Sequence, residues 1–352
     1  MLHNTFRNIF RLITVAFTAG LTLTGCSSFI YDDLPECPAQ LNVKFQFNYT
    51  LDRGEVLGRD FADQIRSVNV WAFDQDGKFV WSGSAYGEPL ASPDFQLETS
   101  LGEGIYDFVA WCGLHENTDF SLDTYTPSSK EELEVKLNTM EKDGLNESSS
   151  HFKSLYYGTK SRVEHKVNPY APSITSVTIP LIKDTNDIAV MLVNEDGTVL
   201  DEKDFTVTFT YADSWLGWNN AVKGDSPAVT YTPWSTLYGD TTKGRADGDD
   251  DQPVRSTLLY EMSVSRLIKG GDAYLDIVRN TDGERIIHLP LIEYFLYAKG
   301  NRFDQYGDQE YLDRRSDYSA LFFIDNDLGW YVAAGIYING WAVVPPQTGS
   351  IF

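Results

Sequence analysis

Ile65-Arg-Ser-Val-Asn-Val-Trp-Ala-Phe73, then Asp74-Gln-Asp-Gly77, then Lys78-Phe-Val-Trp81: two apolar runs meet across a turn that ends in Asp-Gly. Asp-Gly tolerates the positive φ of a tight hairpin turn, and Val, Trp and Phe suit a pleated, half-buried surface. The stretch reads as a β-hairpin. Upstream, Leu41, Val43, Phe45, Phe47 and Tyr49 alternate with Asn42, Lys44, Gln46 and Asn48, the period of a strand with one buried face. Downstream, a Gly-Glu-Gly turn at Gly102 to Gly104 leads into a strand from Ile105 to Trp111. A strand from Ile174 to Ile179 is expected to end at Pro180.

A second block starts near Leu181. Val68-x-Val70-x-x-Phe73-x-x-Asp76-Gly77 is echoed by Ile188-x-Val190-x-x-Val193-x-x-Asp196-Gly197. Two units of one architecture would produce that echo, and so would chance, because such hairpins are common. Strands are expected at Phe205 to Tyr211, Leu258 to Ile268, Ala273 to Val278, Arg285 to Leu289 and Tyr318 to Ile324. Another runs from Trp330 to Val344, interrupted by Asn339-Gly340. Two stretches read as short helices: one opened by Ser129-Lys-Glu-Glu132 as a capping box, with Leu133 and Leu137 sharing a face, and Leu291 to Ala298. Met140 to His151 is polar and reads as a loop. The expectation is an all-β chain of two sandwiches in tandem, residues 41–180 and 181–352, with few short helices.

The N-terminus carries a different signal. Arg7 and Arg11 precede an uncharged apolar run from Leu12 to Leu23, and Leu23-Thr-Gly-Cys26 follows. The run is short for a membrane span of ~18 residues or more and has the layout of a secretory signal over residues 1–25. Leu-x-Gly before a cysteine looks like a bacterial lipobox, which makes Cys26 the lipidation site and the first mature residue. An ordinary signal peptide with an accidental cysteine is the alternative. Two acyl chains suffice for stable anchoring at about 0.8 kcal/mol per buried methylene. Residues 26–40, with Asp32, Asp33, Pro35 and Pro38, read as an irregular leash.

Loss of Arg7 and Arg11 with the leader takes the net charge from −23 to −25. So acidic a surface repels a phosphate backbone, which excludes nucleic-acid partners. Beyond Cys26 only Cys37 and Cys112 remain. Outside the cytoplasm a lone pair suits a disulfide, which would close a loop of about 75 residues and contribute roughly 4 kcal/mol. Two buried free thiols are the other reading.

Catalytic patterns are missing. The histidines, His3, His115, His151, His165 and His288, form no HExxH and have no cysteine at zinc spacing. Neither GxSxG nor GxxxxGK[ST] occurs. Carboxylates abound, but no spacing nominates a glycosidase pair. Asp247-Gly-Asp-Asp-Asp251 lacks EF-hand spacing and reads as a solvated loop, and Asp74 to Gly77 reads as a turn rather than a calcium loop. No enzyme activity, metal or cofactor is expected. Trp215 and Trp218, with Tyr211 nearby, are either core residues or an aromatic surface for sugar rings.

The order of several segments resembles one family. They are the lipobox with Tyr31-Asp-Asp-Leu34-Pro-Glu-Cys37, Val70-Trp-Ala-Phe-Asp-x-Asp-Gly77, Gly104-Ile-Tyr-Asp-Phe-Val-Ala-Trp111, Leu181-Ile-Lys-Asp-Thr-Asn186-Asp-Ile, Tyr311-Leu-Asp313-Arg and Ile338-Asn-Gly-Trp341. Together they resemble the FimB-like fimbrium anchoring subunits of Gram-negative anaerobes. Cys112 departs from the pattern, where glycine is expected after the tryptophan. The resemblance implies two transthyretin-like sandwiches. It also implies an outer-membrane lipoprotein, facing outward, that holds the base of a fimbrium and limits its length. Its partners would be the membrane, through lipid on Cys26, and a fimbrial stalk subunit docked by a β-strand. The C-terminal segment Tyr331 to Val344 is a candidate docking edge or an ordinary internal strand. A carbohydrate-binding surface lipoprotein of a glycan-uptake system, using Trp215 and Trp218, is the alternative function.

Overall fold

The computed structural model describes residues 40–47, 64–92, 94–167, 174–240, 255–331 and 335–343. In chain order these form β1 (Gln40–Phe47), β2 (Ser67–Phe73), β3 (Phe79–Tyr86), β4 (Leu97–Thr99), β5 (Gly104–Cys112), β6 (Phe120–Leu122), β7 (Glu134–Leu137), β8 (Met140–Lys142), β9 (Leu145–Ser148), β10 (Tyr156–His165) and β11 (Ile174–Lys183). There follow β12 (Asn186–Asn194), β13 (Phe205–Tyr211), β14 (Trp215–Gly217), β15 (Val229–Tyr231), β16 (Ser235–Asp240), β17 (Ser256–Val264), β18 (Tyr274–Arg279), β19 (Glu284–Leu289), β20 (Asp317–Phe323), β21 (Ile336–Ile338) and β22 (Trp341–Val343). Two short helices, α1 (Leu291–Tyr297) and α2 (Asp308–Asp313), lie between β19 and β20. The fold is all-β with sandwich architecture, as the alternation implies.

The first sheet has the order β3-β2-β5-β10-β11-β1-β4. It curls until its edges meet, with the Leu97 side chain of β4 packed at Gly83 of β3. Val68, Val70 and Ala72 of β2 and Phe108, Ala110 and Cys112 of β5 fill its interior. The opposite faces of the same two strands, Trp71, Phe73, Val109 and Trp111, join the core of the second half. Burial on both sides is why β2 and β5 read as continuous apolar runs. At the β2–β3 turn Asp74 Oδ1 accepts from the N–H groups of Asp76 and Lys78, and Gly77 takes φ +76°.

Two six-stranded sheets, β16-β17-β12-β20-β21-β22 and β19-β18-β13-β15-β9-β8, enclose the second core. β12 alternates strictly between buried and half-buried positions, with Ile188, Val190 and Leu192 inward. A third, small sheet has the order β14-β7-β6. The halves share strands: β7 pairs with β14 and β9 runs parallel to β15. The 180/181 division falls inside β11.

Three expectations are corrected. β11 does not end at Pro180 but continues to Lys183. Gly158 on β10 makes this possible, since a Cβ there would stand 2.4 Å from the Pro180 carbonyl oxygen. The proposed helix after Ser129 is one 3-10 turn, Lys130–Glu132, and Ser129 makes no side-chain cap bond. Leu133, Val135 and Leu137 are all buried, so the chain enters β7 with period two. A spacing of four fits a strand face as well as a helix face. The loop read at Met140 to His151 contains the β8–β9 hairpin, turning at Asp143 (φ 52°) and Gly144 (φ 78°).

Candidate functional site

β1, the first described strand, runs parallel to β11 from Gln40↔Ile174 to Phe47↔Leu181, and β4 closes its other side. The Gln40 end of the sheet also holds Gly104 and His165, whose Nδ1 lies 3.1 Å from Thr175 Oγ1. The opposite end holds Cys112, Tyr156 and Lys183, which pair in turn. β5 runs between these ends over nine residues, about 27 Å at ~3.4 Å per step. Gln40, where the described chain begins, and Lys183, where it passes to the second half, therefore lie at opposite ends of the first sheet. A pull between them shears the β1–β11 ladder and loads all of its hydrogen bonds together.

The chain leaves the far end through Asp184, which is fully buried. Asn220 Nδ2 donates to Asp184 Oδ1 at 2.8 Å, and Arg266 Nε stands 3.9 Å from the same oxygen. Arg266 grips Asp313 with Nε at 2.9 Å and Nη2 at 2.8 Å, and its Nη1 also donates to the Asn220 carbonyl. Gln309 Nε2 donates to Asp313 Oδ1 at 2.9 Å. One guanidinium thus ties the connection between β11 and β12 to α2 and to the turn after β14. A second buried carboxylate, Asp213, accepts from the Tyr231 hydroxyl at 2.6 Å.

Burial pushes Asp184 up to about 7, against the pull of Arg266 and the Asn220 bond. Burial pushes Asp213 up to about 8, against the Tyr231 bond. Both values exceed the unfolded carboxylate value of about 3.9, so the folded chain holds protons that the unfolded chain releases. Stability is therefore expected to rise as pH falls from 8.5 to 6, by on the order of 1 kcal/mol per group. Asp213→Asn should remove its share of that slope. Urea midpoints at the two pH values check this, and a midpoint that is equal or lower at pH 6 contradicts it.

The family of fimbrillin-A associated anchor proteins Mfa1 and Mfa2 matches residues 34–344. The chain belongs to that family. Among solved structures, a candidate adhesin of Bacteroides thetaiotaomicron is 27% identical with a TM-score of 0.74, over 88% of this chain and 99% of the other. The fimbrial anchor protein Mfa2 of Porphyromonas gingivalis superimposes with a TM-score of 0.64 at 18% identity, over 87% of this chain and 99% of its own. The latter likeness shows the fold alone. No curated protein matches the sequence.

Of the residues nominated from sequence in this fimbrial-anchor family chain, Cys112, Trp215 and Trp218 are among the described residues. Cys26, Cys37 and Asp247 to Asp251 lie outside the described residues. Cys112 is a buried free thiol in the first core, and burial pushes its pKa up. Cys112 sits level with Lys183, two residues beyond the partner of Phe47, so it is about 30 Å along the sheet from Gln40 at ~3.3 Å per residue. Cys37, three residues before Gln40, reaches about 11 Å from it at ~3.6 Å per residue. A disulfide requires Cα atoms within about 7 Å, so bridging this pair would strip β1 from its ladder. Trp215 and Trp218 are half-buried, and each has a lysine over its ring: Lys136 on Trp215 and Lys130 on Trp218, both 4.4 Å from the centroid. Each lysine covers one face of its indole ring. Sequence reasoning gave no role to Arg266 or Asn220. The signal was within reach, because Asp184 and Asp313 sit in two of the segments that carry the family resemblance and both face Arg266.

Among the described residues no helix is long and apolar enough to cross a membrane. No group of three His, Cys, Asp or Glu residues there could hold a metal ion.

Proposed function

We propose that this chain is the membrane-tethered base of a fimbrium. Cys26 carries the lipid, residues 26–40 are the leash, and residues 41–180 and 181–352 act as a proximal and a distal unit that share strands. The protein sits on the outer membrane facing outward and works as a structural, non-enzymatic part. The distal unit receives the first stalk subunit by β-strand addition at a sheet edge. There main-chain hydrogen bonds supply affinity and alternate side-chain pockets supply specificity. A base that cannot detach stops further addition at its own end and so limits fimbrial length.

The placement of Gln40 and Lys183 at opposite ends of the first sheet supports this reading, since an anchor must transmit tension between its two attachments. Deleting the gene tests it. Fimbriae are expected to shed into the medium and to lengthen in electron micrographs. Cell-bound fimbriae of unchanged length in the deletion strain contradict it.

A further inference from the structure

The outward face of the β16-β17-β12-β20-β21-β22 sheet is divided into two halves of opposite character. Following the register across the strands, Leu237, Leu259, Met191, Leu321, Tyr337 and Ala342 fall in one row. Val193 and Phe323 extend it on the side of the next row. None of the eight is buried: Leu237 is 54% exposed and Tyr337 38% exposed. Met191, Leu321, Phe323 and Tyr337 line an open groove with Ser319 and Gly340. Six strands at ~4.8 Å spacing make this band about 24 Å long. An outward sheet face is ordinarily polar, and a contiguous apolar band on one marks an interaction surface. The rows on the other side carry Glu261, Asp187 and Asp317.

We propose that this band is a face-on docking surface for an apolar β-sheet face of the neighbouring fimbrial subunit, bordered by Lys or Arg that meet Glu261 and Asp317, Asp187 being already paired with Lys183 and the Ser263 hydroxyl. Sheet faces pack at about 10 Å through interdigitated side chains, which a groove flanked by Phe323 and Tyr337 suits. Charge selects the occupant. A second copy would bring together two chains of net charge −25, and a membrane would present anionic headgroups to the acidic rows. A neutral or basic partner meets neither obstacle. This surface is separate from strand addition at an edge and rests on the reading of the chain as a fimbrial base.

The test uses mature protein with Cys26→Ser on a sensor surface, and fimbriae sheared from cells lacking this chain as the probe. Leu321→Arg and Met191→Lys are expected to weaken binding at least tenfold, and Glu261→Lys with Asp317→Lys severalfold, with unchanged melting temperatures. Thr178→Arg, on the outward face of β11, should bind as the unsubstituted protein does. Tyr337→Glu, at a more exposed position, replaces Leu321→Arg if that variant melts early. Unsubstituted protein that binds fimbriae, with Leu321→Arg and Tyr337→Glu binding equally well, overturns the docking surface and leaves the base reading standing. Unsubstituted protein that does not bind fimbriae overturns both. Self-association that Leu321→Arg abolishes assigns the face to a second copy and overturns the proposal.

Discussion

Arg266→Ala is expected to lower stability by on the order of 3–5 kcal/mol, the range for removing one partner from a buried ion pair. The arginine side chain is 12% exposed and its partners Asp184 and Asp313 are 0% and 16% exposed. Without it, Asp184 keeps the Asn220 amide and the Trp111 indole, both neutral, and faces the Asp313 carboxylate in a dry site. The carbonyl of Asn220 loses a donor as well. The loss should appear as a drop of about 10 °C in the melting midpoint. Pairing Asp184→Asn with Arg266→Met should recover part of it, because the neutral pair leaves one less buried charge uncompensated. Calorimetry of the three proteins checks this. A single variant within 1 kcal/mol of the unsubstituted protein would mean that the network contributes little to joining the two units.

Cys26→Ser is expected to move the protein from the membrane fraction into the soluble or secreted fraction almost completely. The effect is large because anchoring energy comes from buried methylenes at about 0.8 kcal/mol each, and the described residues offer no membrane-crossing helix in their place. Serine offers no thioether for diacylglycerol. Fimbriae should follow the protein into the medium. Intact mass of the unsubstituted protein from membranes should begin at Cys26 with acyl chains attached, and carry Cys37 and Cys112 as thiols. Retention of the Cys26→Ser variant in the membrane fraction would remove the tether from the account.

Much of the fold was legible because its strands alternate. Phe205 to Tyr211 reads as a strand and is one, with Phe205, Val207, Phe209 and Tyr211 inward. Leu291 to Ala298 reads as a short helix, and α1 occupies Leu291–Tyr297. Errors arose where local rules have two solutions. Leu133 and Leu137 are four apart, which suits both periods, and the long-range pairing of β7 with β14 decides for the strand. Pro180 lacks a ladder donor, yet β1 and a side-chain-free Gly158 hold β11 together across it. The Asp143-Gly144 turn is a hairpin signal inside the polar stretch Met140 to His151, whose composition alone reads as a loop. Pairings such as β9 with β15, 80 residues apart in sequence, leave no local trace. The same holds for the site. Arg266 meets Asp184 and Asp313 only through the fold, and the apolar band on the outward sheet face emerges only once six strands are in register.

The most direct measurement is immunogold labelling of this chain on fimbriae detached from cells with mild detergent. One cluster of gold is expected at a single end of each filament, the end that carried membrane. Gold along the shaft, or at the end that pointed away from the cell, would contradict it.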